Sequence, residues 1–238
     1  MVAFELAVQD PTGIAIAARV AADRIELCSA LALGGLTPGV GLIEAAADAA
    51  TPVHVLVRPR AGDFAYDSAE RAVALRDVAD AVDRGAAGVV VGATRDGRVD
   101  EGFLARAVDA AEGREVTFHR AFDGLDDPGE GLDILRAFGV TRVLTSGGAA
   151  SALDALDALH GLVGRAGDGI QIMAGGGVRI EGVPAVLATG VAAVHASAKK
   201  IARAPGVPLG SGDDGSWEST DEALAARFRA AIRTGESV

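Results

Sequence analysis

Short apolar runs alternate along the chain with Ala-rich stretches that have the period of an amphipathic helix. In the helical stretches apolar side chains recur at positions i, i+3, i+4 and i+7, as at Leu104, Ala107, Val108 and Ala111. Eight units of one run and one helical stretch follow one another. The runs lie near residues 2–8, 24–28, 53–58, 87–91, 115–119, 141–146, 170–174 and 192–197.

Helix ends are also marked in the sequence. A capping side chain precedes a proline at three predicted helix starts, namely Asp10-Pro11, Thr37-Pro38 and Asp127-Pro128. Glycines stand where helices should end, at Gly85, Gly139 and Gly190. Repeated strand–helix units without a hairpin pattern predict an α/β fold, a closed (β/α)8 TIM barrel. The alternative, an open doubly wound sheet, lacks its Gly-x-Gly-x-x-Gly opening after the first run.

The barrel is expected to form a single domain over residues 1–238. Residues 203–219 are the one long stretch without a periodic pattern, and we predict an irregular loop there, after the eighth strand. Such a loop lies at the catalytic end of a barrel and is either a lid or a mobile segment, with Trp217 as a cover for the site. The last helix is expected over residues 220–234.

Composition narrows the classes of partner. The formal net charge of −11 argues against nucleic acid and anionic membranes, because both require basic patches. Cys28 is the one cysteine, so no intrachain disulfide is expected. The chain shows neither a signal-peptide pattern nor an apolar segment of membrane-spanning length. A soluble, cytoplasmic protein that binds a small molecule is therefore expected.

Alternation along the predicted strands places charged side chains inside the barrel. The outward face must be apolar because it meets the helices. Buried charges cost several kcal/mol unless they are paired, so an interior this polar favours a site, although compensating pairs of Glu5 or Glu26 with Arg58 would also explain it. His54 is expected low in the core, and His160 on a helix face. The inward set is Glu5, Glu26, Arg58, His119 and His195, with Arg60 and Ser146 near the rim.

The stretch 117–123 combines chemistry-bearing side chains at the end of the fifth run. His119 is the candidate general acid or base, because the pKa of an imidazole lies near neutrality. Glu26 or Glu5 is its expected carboxylate partner, and Asp123 is expected to orient His119 or Arg120. A lyase, isomerase or hydrolase acting on a small anionic molecule fits this set. A Schiff-base mechanism does not, because Lys199 and Lys200 follow the eighth strand.

Two strand ends run directly into glycines, and these turns are candidate anion sites. Backbone N–H groups in such turns converge on phosphate or carboxylate groups. The arginines Arg58, Arg60 and Arg120 would supply positive charge to the same ligand. Glycines that merely permit tight turns are the alternative. The residues concerned are Ser146, Gly147, Gly148, Gly175, Gly176 and Gly177.

Several of these segments together resemble the CutC family, which is named for copper homeostasis. The resemblance implies a cytoplasmic TIM barrel that is often a homo-oligomer, and a role in copper tolerance. The segments are Arg24-Ile25-Glu26-Leu27-Cys28, Gly34-Gly35-Leu36-Thr37-Pro38, Arg58-Pro59-Arg60, Thr117-Phe118-His119-Arg120-Ala121-Phe122-Asp123, Leu144-Thr145-Ser146-Gly147-Gly148, Gly175-Gly176-Gly177 and His195-Ala196-Ser197.

Copper is the cofactor that the resemblance implies, but the thiols are few. Ala7 stands where the family usually has a cysteine, so Cys28 is the remaining candidate copper ligand. Cu(I) prefers soft ligands, and a site completed by histidine, a site shared between subunits, and an inert buried thiol all stay open. A copper-handling protein that uses Cys28 without catalysis is the alternative function. A divalent ion held by Glu5, Glu26, His119 and His195 is a further expectation.

Overall fold

A computed structural model describes residues 1–203 and 215–235. Eight parallel strands close into a barrel in the order β1-β2-β3-β4-β7-β8-β9-β10, with β10 pairing back to β1. This confirms the predicted (β/α)8 barrel. The described strands are β1 (Ala3–Val8), β2 (Arg24–Leu27), β3 (Val53–Leu56), β4 (Gly88–Val91), β5 (Thr94–Arg95), β6 (Arg98–Val99), β7 (Glu115–Phe118), β8 (Arg142–Thr145), β9 (Gln171–Ala174), β10 (Ala193–Ala196), β11 (Lys199–Arg203) and β12 (Ser216–Thr220).

Helices surround the barrel, and their ends follow the sequence in most places. Asp10 and Asp127 accept hydrogen bonds from the first turns that they precede, as predicted. The prediction at Thr37 is wrong, because α2 begins at Val40 and the Thr37 hydroxyl instead accepts the N–H of Arg58. The helices are α1 (Pro11–Arg19), α2 (Val40–Ala47), α3 (Ser68–Asp83), α4 (Glu101–Ala110), α5 (Pro128–Ala137), α6 (Leu156–Ala166), α7 (Val183–Ala188) and α8 (Glu222–Gly235).

The two faces of the barrel strands separate as alternation predicts. Phe4, Leu6 and Val8 of β1 belong to the large core between barrel and helices. Inside the barrel, apolar packing is confined to two small clusters, one around Cys28 and one around Met173. The remaining interior is polar. Its buried members include Glu5, Arg24, Glu26, His54, Thr117, His119 and Arg142.

Two antiparallel hairpins depart from the expected pattern. β5 pairs with β6, and β11 pairs with β12, both outside the barrel. Residues 216–220 are therefore a strand and not part of an irregular loop, and α8 extends from Glu222 to Gly235. Residues 204–214 of the predicted loop lie outside the described residues. Trp217 is half-exposed on β12 and does not line the barrel mouth, so its predicted role as a cover for the site gains no support.

None of the helices in the described ranges is both long and apolar enough to cross a membrane.

Candidate active site

A cavity of about 860 Å³ opens at the carboxyl ends of the barrel strands. It lies where active sites of (β/α)8 barrels are found. The fold therefore brings together most of the predicted site residues, although they come from distant parts of the chain. The predicted residues that line the cavity are Glu26, Arg58, His119, Arg120, Gly176, Gly177 and His195.

His195 lies between two carboxylates at the base of this cavity. Barrel closure sets Glu5 of β1 directly beside His195 of β10. Nδ1 of His195 is 2.7 Å from Oε1 of Glu5, and Nε2 is 3.8 Å from Oε2 of Glu26. Glu5 is fully buried behind the imidazole, whereas Glu26 and His195 line the cavity. The 3.8 Å separation is an ion-pair distance and too long for a direct hydrogen bond, so Glu26 and His195 face the cavity as two separate titratable groups.

Arg24 fixes the charge of Glu5. Its Nε donates to Oε2 of Glu5 at 2.5 Å, and its Nη2 contacts the Met173 sulfur at 3.1 Å. Burial raises the pKa of Glu5, but the hydrogen bond from His195 and the Arg24 charge outweigh it and hold that pKa far below its ordinary value. Glu5 is an anion, and its cationic partner is Arg24. The alternative explanation of the polar interior, a pair of Glu5 or Glu26 with Arg58, is not what forms at Glu5.

Glu26 and His195 have shifted pKa values that suit proton transfer. Burial is the largest influence on Glu26 and raises its pKa to about 7, with His195 opposing and Glu5 adding to the rise. Burial disfavours the imidazolium of His195, but Glu26 and the hydrogen-bonded Glu5 outweigh this and raise its pKa. A carboxyl group with a pKa near neutrality can serve as acid or base at ordinary pH.

His119 has a different character from the one predicted. Its Nδ1 accepts the backbone N–H of Ala121 at 3.1 Å, so the ring caps the short 3-10 helix at Arg120–Gly124. Burial, together with the smaller effect of the Arg58 charge, lowers the pKa of His119 to about 3. The imidazole is therefore neutral at ordinary pH, which argues against the expected role as general acid or base. Asp123, expected to orient either His119 or Arg120, contacts Arg120.

Arg58 and Arg60 have different partners at the rim of the cavity. Arg58 is buried, and its Nη atoms donate to the carbonyls of Leu33, Gly35 and Gly62 at 2.9 Å. These acceptors are neutral, so the guanidinium keeps its charge beside the cavity. Arg60 instead forms ion pairs with the carboxylates of Glu70 and Asp63 and does not line the cavity. The structure thus supports a ligand role for Arg58 and gives Arg60 a structural one.

The turn at 146–148 already holds an anion, namely the carboxylate of Asp123. That carboxylate accepts the N–H groups of Ser146 and Gly148 at 3.1 and 3.3 Å, and it accepts the Thr145 hydroxyl. Arg120 Nε donates to it at 2.7 Å. The converging N–H groups predicted at Ser146, Gly147 and Gly148 are present, but the anion in the turn is the Asp123 carboxylate of the chain itself. These residues do not line the main cavity.

The second glycine turn is available to a ligand. Gly175 continues the strand ladder by donating to the carbonyl of Thr145 at 3.0 Å. Gly176 and Gly177 have φ values of +94° and +66° and line the cavity, and their N–H groups donate to no atom of the described ranges. The Arg120 guanidinium lies against Gly176, where a β-carbon would come within 2.9 Å of Nη1. This turn pairs backbone donors with a cation.

Further charged residues of the cavity were not found from the sequence. They lie on the segments after β9 and β10 and on α8, whereas strand alternation identifies inward residues only within strands. Lys199 forms an ion pair with Glu218 at 2.6 Å. Cationic side chains outnumber carboxylates on the wall, although the whole chain has a net charge of −11. The charged residues added by the structure are Arg179, Glu181, Lys199 and Arg227, and the apolar residues that it adds include Phe64 of the segment after β3.

The surroundings of Cys28 do not fit copper. The thiol is fully buried among Leu31, Leu56 and Val90, and burial raises its pKa well above the ordinary value. Its Sγ lies 3.5 Å from the carbonyl of Val8. Cu(I) requires a thiolate or several soft ligands, and the cluster of metal-type ligands found among the described residues contains no sulfur. Cys28 is better explained as a small apolar group.

That cluster consists of Glu5, Glu26 and His195, with candidate ligand atoms within 4.8 Å of one another. His119, which the sequence analysis had added to a divalent-metal set, is not among them. The carboxylate of Glu5 is already balanced by Arg24 and by the imidazole. This balance disfavours a divalent cation. The negative charge of Glu5 is already compensated, so the ion would bring excess positive charge into a buried site, where like charges destabilise one another.

Comparisons with known proteins agree with the resemblance found in the sequence. A family model described as the CutC family matches residues 2–200. A protein of Caulobacter vibrioides named CutC is 49% identical over 179 residues, which is 75% of this chain and 73% of that protein. The solved structure of a protein from Streptococcus agalactiae, named CutC for copper homeostasis, is 30% identical, with a TM-score of 0.78 over 82% of this chain and 98% of that one.

More distant barrels share the fold alone. Thiamine phosphate pyrophosphorylase from Pyrococcus furiosus is 13% identical, with a TM-score of 0.59 over 98% of this chain and 96% of that one. The family model covers the barrel from residue 2 to residue 200, including the strands that carry Glu5, Glu26 and His195. The chain belongs to the CutC family, whose name refers to copper homeostasis.

Proposed function

We propose that the barrel mouth binds a small anionic molecule and that Glu26 and His195 exchange a proton with it. The observation that carries this proposal is the Glu5–His195–Glu26 arrangement, which opens into a cavity with cationic walls. A buried histidine between two carboxylates is costly in a core, whereas at a cavity it provides an acid and a base.

The walls supply the binding part of the site. Arg58 keeps its charge because its partners are neutral carbonyls, and Arg120 is held in place by Asp123. Gly176 and Gly177 add backbone donors at the end of the seventh barrel strand, where TIM barrels commonly hold phosphate groups. A phosphate or carboxylate group is the anion that this combination fits.

Proton transfer is the reaction class that the side chains support, as in isomerases and lyases. Lys199 reaches the cavity wall, but its ammonium is held by the Glu218 carboxylate, which does not suit an amine nucleophile for a Schiff base. Copper handling through Cys28 receives no support from the geometry, because the thiol is enclosed by apolar side chains.

The test is a screen of small phosphorylated and carboxylate compounds by thermal shift, followed by proton NMR in D₂O with each compound that binds. A ligand that binds only the folded chain raises its melting temperature. We expect solvent deuterium to enter the ligand with the wild-type protein, and at least 100-fold more slowly with Glu26→Gln. Glu101→Gln, an exposed carboxylate of α4 that does not line the cavity, is the matched control. Equal exchange rates for wild type and Glu26→Gln contradict the proposal.

A further inference from the structure

His119 carries a polar atom that the proposed proton transfer does not use. The ring lines the cavity, yet its Nε2 is buried and has no hydrogen-bond partner among the residues described. Buried polar atoms without partners are rare in folded proteins, and each calls for an explanation. A ligand group is the explanation that the position beside the cavity offers.

The bond at the other ring nitrogen fixes the tautomer. Nδ1 of His119 is 3.1 Å from the backbone N of Ala121, and a backbone amide can only donate. Nδ1 therefore carries a lone pair, and the proton of the neutral ring is on Nε2. Nε2 of the neutral ring, the atom without a hydrogen-bond partner, is thus an uncharged N–H donor.

Packing holds the ring in this orientation. Gly92 lies against one edge, where a β-carbon would come within 2.5 Å of Nδ1 and 2.4 Å of Cε1 of His119. The Phe64 ring covers a face, with centroids 4.7 Å apart. Gly92 and the Ala121 amide together occupy the Nδ1 side of the ring, and from this we place the buried Nε2 edge towards the cavity that His119 lines. The donor is thus preorganised before a ligand arrives.

We infer that Nε2–H of His119 donates to a carbonyl oxygen of the ligand, so that the substrate is an anionic carbonyl compound and the reaction forms an enolate. This inference rests on the proposed function. Ionised Glu26 removes a proton from the carbon next to the carbonyl, and the C–H electron pair becomes the C=C bond. The carbonyl π pair moves to the oxygen, where the Nε2–H bond strengthens as charge develops. His119 keeps its proton throughout.

The tautomer can be tested without any ligand. The chain has four histidines, so side-chain ¹⁵N NMR spectra can be assigned by single substitutions. We expect Nε2 of His119 to carry the proton, Nδ1 to behave as an acceptor, and neither signal to titrate between pH 5 and 8. A proton on Nδ1, or protonation of the ring within this range, overturns the inference and leaves the proposed function untouched.

Binding of two probes tests the acceptor. Phosphoglycolohydroxamate resembles an enolate of an anionic carbonyl compound, and propyl phosphate has the phosphate without that oxygen. We expect the wild type to bind the hydroxamate at least tenfold more tightly by calorimetry. His119→Asn retains an acceptor for the Ala121 amide but has no atom at the Nε2 position, so it should lose this preference. His119→Gln places an amide N–H near the Nε2 position and should restore part of it.

The outcomes separate the two claims. An equal affinity of the wild type for both probes, or a preference that survives in His119→Asn, overturns the inference while the anion site stands. Failure of both probes to bind contradicts the proposed function and, with it, the inference. A His119→Asn protein that loses the preference but still binds propyl phosphate is folded at the anion end of the cavity, and this result supports the inference.

Discussion

Nδ1 of His195 lies 2.7 Å from Oε1 of Glu5, across the two strands whose pairing closes the barrel. The carboxylate is fully buried and its other oxygen receives Arg24, so the imidazole is held against a fixed negative charge. This contact links the fold to the chemistry, because Glu5, on the strand that closes the barrel, is one of the groups that raise the pKa of His195 and of Glu26.

The first prediction concerns this buried network. Glu5→Gln leaves the Arg24 guanidinium buried without a carboxylate, and breaking a buried pair in this way costs about 3–5 kcal/mol of unfolding free energy. Urea unfolding measures the loss. Glu44→Gln removes an exposed pair with Arg84 and should cost less than about 1 kcal/mol. Similar losses in the two variants would show that Glu5 is not the partner of a buried charge.

The second prediction follows from the neutral ring of His119. Its pKa falls from 6.5 to about 3 on folding, so between these values the unfolded chain binds the extra proton. Stability therefore rises with pH across this window and is lost as the pH falls. His119→Asn should reduce the slope of unfolding free energy against pH by about 1.4 kcal/mol per unit between pH 4 and 6. An unchanged slope would contradict the prediction, and exposed His160→Asn is the control.

The third prediction concerns the anion inside the 146–148 turn. Asp123→Asn retains the shape of the side chain but removes the charge that the N–H groups of Ser146 and Gly148 and the Arg120 guanidinium share. Loss of such charge-assisted bonds should cost about 2–3 kcal/mol in unfolding free energy. Asp126→Asn, an exposed position in the same loop, should change it by less than about 0.5 kcal/mol. Equal effects would show that the turn does not depend on the Asp123 carboxylate.

The fourth prediction concerns Cys28. Because burial raises the pKa of this enclosed thiol, it should react with a thiol reagent at least 100-fold more slowly in the folded chain than in denaturant. In a Cu(I) competition with a chelator, wild type and Cys28→Ala should bind equally weakly. Tight binding that Cys28→Ala abolishes would restore copper handling as the function.

The sequence predicted the barrel because the period of its strands and helices repeats, and alternation placed Glu5, Glu26 and His195 inside. It did not predict which charges meet. Arg24 reaches Glu5 through the register of β1 against β2, and that register depends on barrel closure. The sequence also did not predict the tautomer of His119, which the Ala121 amide sets. That contact is made by a turn, and the alternation of strand residues does not specify the conformation of a turn.

The glycine turns show the same limit. The sequences of both glycine turns permit converging N–H groups. One turn is filled by the Asp123 carboxylate, whereas the other lines the cavity. Which of the two turns is filled depends on the path of the loop after β7, and the pattern of glycines gives no information about that path. The charged wall residues, such as Arg179 and Arg227, lie after strand ends, where the two-residue period no longer applies.

Calorimetry with sulfate shows whether Glu26 controls an anion site at the barrel mouth. Sulfate keeps its charge between pH 6 and 8.5, whereas Glu26, with a pKa of about 7, becomes an anion across this range. We expect wild-type affinity for sulfate to fall at least tenfold from pH 6 to 8.5, and less than threefold in Glu26→Gln. No binding at pH 6, or the same pH dependence in both proteins, would contradict this expectation.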